Sequence, residues 1–361
     1  MKADIYRTDS RIDGSLKRLQ KSELSEKNVS LLRDFYRDAL AGDIPGKSLE
    51  KITVQGNLEC FVIISDHIDF NLQEASRDCL KDLVTKINQG QIHPDRETSP
   101  WTLLDYKRAL KNFYKWLYSS EDPHVLDFMS VYIPESEKPK VDPDELLDVG
   151  HVEKIINSAL NTRDKALFGL MWDSGARISE LLNLNVKDIT FHDELIGVNF
   201  RHGKNGPRKI YLVESKPLIR NWLRDHPTRK PDDPLFTILQ SSHVADGVRR
   251  QTYSSALNQV NAAAERASVP DRKQWNPHSW RRARATDMAR KGMNQPNMCG
   301  FFGWVPGSQV PKYYIRLAQR DVERSIRKLY PGLDPIEDDG PEYLGENIPE
   351  YDQSDLSMFM G

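Results

Sequence analysis

Four prolines, Pro123, Pro134, Pro139 and Pro143, fall within residues 119–149, a stretch otherwise rich in acid. Proline fixes φ and donates no backbone hydrogen bond, so this stretch is expected to run as an extended connector. It divides the 361 residues into two units of ordinary domain size, 1–118 and 150–333, and an acidic tail follows over 334–361. The N-terminal unit reads as helical. Apolar residues recur at helical spacing over 27–40, over 72–87 and most clearly over 101–118. In the last of these Leu104, Tyr106, Leu110, Phe113, Trp116 and Leu117 form the repeat, and Ser99-Pro100 suits a cap and first turn.

The C-terminal unit opens with a helical pattern over 151–184, interrupted at Asp173-Ser174-Gly175. The period then changes. Residues 189–191, 196–200 and 209–213 read as short strands, with a hairpin turn at Asn205-Gly206 between the last two. Helix resumes over 250–267, and again from Asn276-Pro277 to about Gly292. The expected fold is mainly α with a small antiparallel β-sheet, in two domains.

Lys and Arg number 51 against 53 Asp and Glu, but the near-balance hides a segregation. Nine acids and no base fall in 331–361, so the remainder is net basic, and 272–328 carries thirteen bases against three acids. A basic body with an acidic tail suits a phosphate-bearing partner, although a solvated charged surface has the same composition. The longest apolar run, around 60–64, is far too short to cross a bilayer. The N-terminus lacks the apolar stretch of a signal peptide. Cys60, Cys79 and Cys299 lie too far apart for a disulfide framework or a zinc knuckle. The expectation is a cytoplasmic, nucleoid-associated protein without membrane contact.

Four segments of the C-terminal unit each bring a group suited to phosphate. They are Ser174-Gly175-Ala176-Arg177-Ile178-Ser179-Glu180, Gly203-Lys204-Asn205-Gly206, His278-Ser279-Trp280-Arg281, and Gly303-Trp304 followed by Tyr313-Tyr314-Ile315-Arg316-Leu317. Arg177 follows a tight Ser-Gly turn into a helix, where a guanidinium meets an anion well; an ion pair with Glu180 fits the same spacing. His278 and Arg281 share a helix face with Ala285 and Met288 and are expected to point inward, and a buried arginine requires an anion.

In this order the residues resemble the signature of the tyrosine recombinase, or phage-type integrase, family, and the resemblance covers roughly 145–330. The Gly-Trp pair and the proline before the tyrosines are most akin to archaeal and archaeal-virus members. The resemblance implies Arg177 and Arg281 on the phosphate, Lys204 as general acid, His278 in proton transfer at the nucleophile and Trp304 as a buttress. Glu180 is the implied support for Arg177. Arg208 and Lys209 compete with Lys204 for its role. Tyr313 lies nine positions after Trp304, the usual gap, whereas the Tyr-x-Arg-Leu pattern favours Tyr314 as nucleophile.

Arg208, Lys209, Arg282, Arg284, Lys312 and Arg316 are the expected DNA contacts. The implied activity is site-specific cleavage and rejoining of double-stranded DNA through a 3′-phosphotyrosine, integrating or excising a mobile or viral element. Resolution of replicon multimers in the manner of Xer recombinases is an alternative, as is a DNA-binding protein without catalysis. The family acts as a tetramer on DNA, in some cases with accessory proteins, and residues 1–118 resemble its core-binding domain. No carboxylate cluster of the two-metal type and no Gly-rich loop ending in Gly-Lys-Ser/Thr is evident, so neither metal nor cofactor is expected.

Overall fold

The computed structural model describes residues 3–44, 49–93, 95, 98–118, 146–239, 248–270 and 275–318. The tail over 334–361 and the connector up to residue 145 lie outside them.

The first unit is a helical bundle of α1 (Thr8–Lys21), α2 (Glu26–Ala41), α3 (Lys51–Ile64), α4 (Arg77–Asn88) and α5 (Pro100–Leu117). Side chains of Ser25, Ser76 and Ser99 accept from backbone amides three residues on, capping α2, α4 and α5. The apolar residues of α3 are spread round the helix rather than along one face, and it packs against both α1 and α5. Its Val54, Leu58, Phe61 and Ile64 are fully buried, and Phe61 meets Phe113 and Phe35 edge-on.

The second unit contains α6 (Val149–Asn157), α7 (Thr162–Ser174) and α8 (Ile178–Leu182), then strands β1 (Ile189–Phe191), β2 (Ile196–Phe200) and β3 (Arg208–Leu212). After them come α9 (Lys216–Asp225), α10 (Tyr253–Arg266), α11 (Pro277–Arg290), α12 (Gln295–Phe302) and α13 (Val310–Ala318). The sheet is antiparallel in the order β1-β2-β3, with Val198 paired to both Ile189 and Ile210. α7 is buried along most of its length and forms the spine of this core. A smaller cluster of Ala285, Met298, Phe302 and Tyr314 holds α11, α12 and α13 together.

Two details differ from expectation. The β2–β3 turn closes where the Gly206 amide donates to the Gly203 carbonyl at 3.1 Å, so its centre is Lys204-Asn205. Gly203 has no room for a side chain, because a Cβ there would lie 2.3 Å from the Gly206 carbonyl oxygen. The first described residues also depart from the N-terminal bundle. Ile5 is buried in the C-terminal core, its carbonyl accepts from the Tyr253 amide at 3.0 Å, and the Ala3 amide donates to Asn183 Oδ1 at 2.8 Å.

Candidate active site

Gly175 ends α7 in the left-handed region, with φ 52°, and its amide donates back to the Met171 carbonyl at 3.1 Å. A side chain is excluded there: a Cβ would stand 2.4 Å from Phe302 Cε1. The reversal delivers Arg177 as the N-cap of α8. The Arg177 amide donates to Glu180 Oε2 at 2.9 Å, and its Nη1 lies 3.4 Å from Oε1. Glu180 is buried. Burial alone would push its carboxyl up, but the bonds and charges of Arg208 and Arg177 together hold it below the usual glutamate value.

α11 starts at Asn276, whose side chain accepts from the amides of His278 and Ser279 at 3.1 Å. One turn on, Arg281 is only 4% exposed. Its Nη1 donates to the Gly175 carbonyl at 2.9 Å and its Nη2 to the Phe302 carbonyl at 2.7 Å. It thereby ties the turn before Arg177 to the end of α12. Its guanidinium also lies 5.2 Å from the Trp304 ring and 5.4 Å from that of Phe302. Among the described residues no carboxylate is in ion-pair distance of it. Burial, reinforced by Arg177, pushes its pKa down to about 10. A buried cation in that situation has unmet affinity for an anion.

His278 does not follow the inward face expected of it; it is exposed at the rim, in the first turn of the helix. Loss of water around the ring, followed by the charges of Arg282, Arg281 and Arg177, lowers its pKa below the ordinary 6.5. Near neutrality the imidazole is uncharged and can accept a proton.

The two tyrosines of α13 diverge. Tyr314 is 8% exposed and stacks on Trp304, with centroids 5.7 Å apart and planes 7° from parallel. Trp304 stacks in turn on Phe302. Tyr313 is 42% exposed and meets Tyr314 edge-on. Burial raises the Tyr314 pKa, and Arg282 and Arg281 oppose the rise. Lys204 is exposed at the hairpin tip, and Asn205 Nδ2 anchors that tip to the Gly303 carbonyl at 3.0 Å.

The expected DNA contacts separate into two groups. Lys209 and Lys312 are exposed, and Arg282 is half-buried next to Tyr314 and His278. Arg316 lies on α13, and its side chain is outside the described residues. Arg284 and Arg208 are turned inward. Arg284 is 1% exposed and pairs with Asp173 at 3.0 Å, Asp287 at 2.9 Å and Glu214 at 3.2 Å, over the Trp172 ring. Arg208 is held in two bonds by Glu180. Neither guanidinium is left to meet a phosphate. Sequence reasoning missed Asp173 and Glu214 altogether, since only the packing of α11 against α7 and the β3–α9 turn brings them to Arg284.

The model of the phage integrase family matches residues 144–320. Tyrosine recombinase XerA of Saccharolobus solfataricus is 25% identical over 244 residues, 64% of this chain and 72% of that protein. The XerH recombinase bound to its palindromic difH substrate has the same fold, with a TM-score of 0.55 at 15% identity over 91% of this chain and 97% of that one. A lambda integrase tetramer bound to a Holliday junction scores 0.56 at 12% identity, over 82% and 79%. With the ordered motif, these similarities place residues 144–320 in the phage integrase family, that of the tyrosine recombinases.

Proposed function

We propose that this protein is a site-specific DNA recombinase that cleaves and rejoins duplex DNA through Tyr314, moving a mobile or viral element into or out of a larger DNA. The observation that carries the reading is Arg281, a buried cation without a carboxylate, next to Arg177 and within electrostatic reach of Tyr314. In the step proposed, the Tyr314 oxygen attacks phosphorus and its proton passes to neutral His278. The bond to the 5′ oxygen breaks, and Lys204 protonates the leaving oxygen. Arg177 and Arg281 offset the charge that grows on the non-bridging oxygens. The ester energy is kept in the phosphotyrosine, so attack by a 5′ hydroxyl reverses the step and rejoins the strand without ATP. Trp304 holds the Tyr314 ring by stacking.

Double-stranded DNA is the partner. Arg282, Lys209, Lys312 and Arg316 are the proposed phosphate contacts, and residues 1–118 the proposed second DNA-binding domain. Four protomers on paired sites, in some reactions with accessory proteins, would allow strand exchange in a nucleoid-associated, cytoplasmic setting. Among the described residues no helix is long and apolar enough to cross a membrane.

The test is a suicide substrate carrying the recombination site, with a nick that lets the cleaved end diffuse away. A protein–DNA adduct resistant to denaturant is the expected result, and no adduct on a site the protein binds contradicts the reading. The pH dependence follows from His278. Because its pKa lies below 6.5 in the free protein, cleavage at subsaturating DNA rises with pH through a midpoint under 6.5 and is level by neutrality. An acid limb centred above 6.5 would count against His278 as proton acceptor.

A further inference from the structure

Arg208 lies on β3, four residues after Lys204, and its guanidinium is the piece that joins three separate segments of the site. Nη1 donates to Glu180 Oε1 at 2.9 Å and Nη2 to Oε2 at 3.0 Å, a two-pronged pair that leaves its side chain 9% exposed. Nε donates to the Phe301 carbonyl at 3.1 Å, and the group stacks on the Phe200 ring at 4.4 Å. Two glycines make the space. A Cβ on Gly303 would stand 2.8 Å from Arg208 Nη1, and one on Gly203 would stand 3.4 Å from both that nitrogen and Glu180 Oε1.

We infer that Arg208 is a positioning residue: it locks the Lys204 hairpin against the Arg177 turn and the last turn of α12, just before Trp304. This rests on the proposed role of Lys204 as the acid for the leaving oxygen. Lysine at position 208 would keep the charge and lose the fork, because an ammonium cannot bond both carboxylate oxygens and the Phe301 carbonyl in this planar arrangement. The Lys204 tip would then retain only the Asn205–Gly303 bond as a tether among the contacts described here. A bridging sulfur at the 5′ position supplies a chemical readout, since a thiolate leaves without being protonated.

The experiment compares full-length wild type, Arg208→Lys and Glu180→Gln on the suicide substrate at saturating DNA, with either oxygen or sulfur at the 5′ bridging position. Melting temperature and DNA affinity across a salt series are measured in parallel. The expected result for Arg208→Lys is a cleavage rate at least tenfold lower on the oxygen substrate, largely restored on the sulfur substrate, with affinity and salt dependence unchanged. Glu180→Gln, which keeps its shape and loses the charge, should show a loss in the same direction. An unchanged rate, or an equal loss on both substrates, overturns the proposal. So does weaker binding with a salt slope reduced by about 1, which would mark Arg208 as a direct phosphate contact. Failure of wild type to form any adduct would count instead against the recombinase reading itself.

Discussion

Tyr314→Phe is expected to bind DNA as wild type does and to form no adduct, a loss on the order of 10⁴-fold or more in cleavage. The change removes one oxygen from a ring that stays packed on Trp304, so the fold should be unaffected. Tyr313→Phe should retain the adduct, within about tenfold of wild type, because its ring is 42% exposed and meets Tyr314 edge-on, away from the Trp304 stack that holds Tyr314. Denaturing gels of suicide-substrate reactions distinguish the two. An adduct that persists in Tyr314→Phe and disappears in Tyr313→Phe would mean that helix α13 presents its other tyrosine when DNA is bound.

The second large effect is on stability. Arg284→Met should cost about 3–5 kcal/mol in denaturant unfolding, because Asp173 would keep its buried charge without an ionic partner, while Asp287 falls back on Lys291 at 3.0 Å. Burial already raises the pKa of Asp173, with the bonds from Ser215 and the Arg284 charge opposing it. Removing that charge raises it further, and part of the cost should appear as uptake of a proton on folding. The neighbouring Arg282→Met should change stability by about 1 kcal/mol or less, since Arg282 is half-buried and faces the site. Equal losses in both variants would show that Arg284 is not the strut that its three carboxylates suggest.

These two arginines mark where reading the sequence stops. Arg177, Lys204, His278, Arg281 and Tyr314 stand out as candidates because the signature sets their order and local spacing, and the strand and helix pattern around them is periodic. Arg208 and Arg284 carry the same charge in the same basic stretches. Their partners Glu180 and Asp173 sit in other segments, so the chain alone does not say which arginines face inward. His278 departs from its expected face for a related reason: helix periodicity assigns a face, but which first-turn residues are covered depends on other segments, and here Pro277 and Ser279 are buried while His278 is exposed. The bundle is legible as a class, while α3 is not, because its apolar and polar residues alternate round the helix and leave no one-sided stripe of the kind that marks the others. The docking of residues 3–7 on the far core left no trace in the pattern at all.

The most direct test of the account is to digest the DNA of the covalent complex down to a nucleotide and map the modified peptide by mass spectrometry. The account predicts a single 3′-linked nucleotide on Tyr314. A nucleotide on any other residue, or a 5′ linkage, would contradict it.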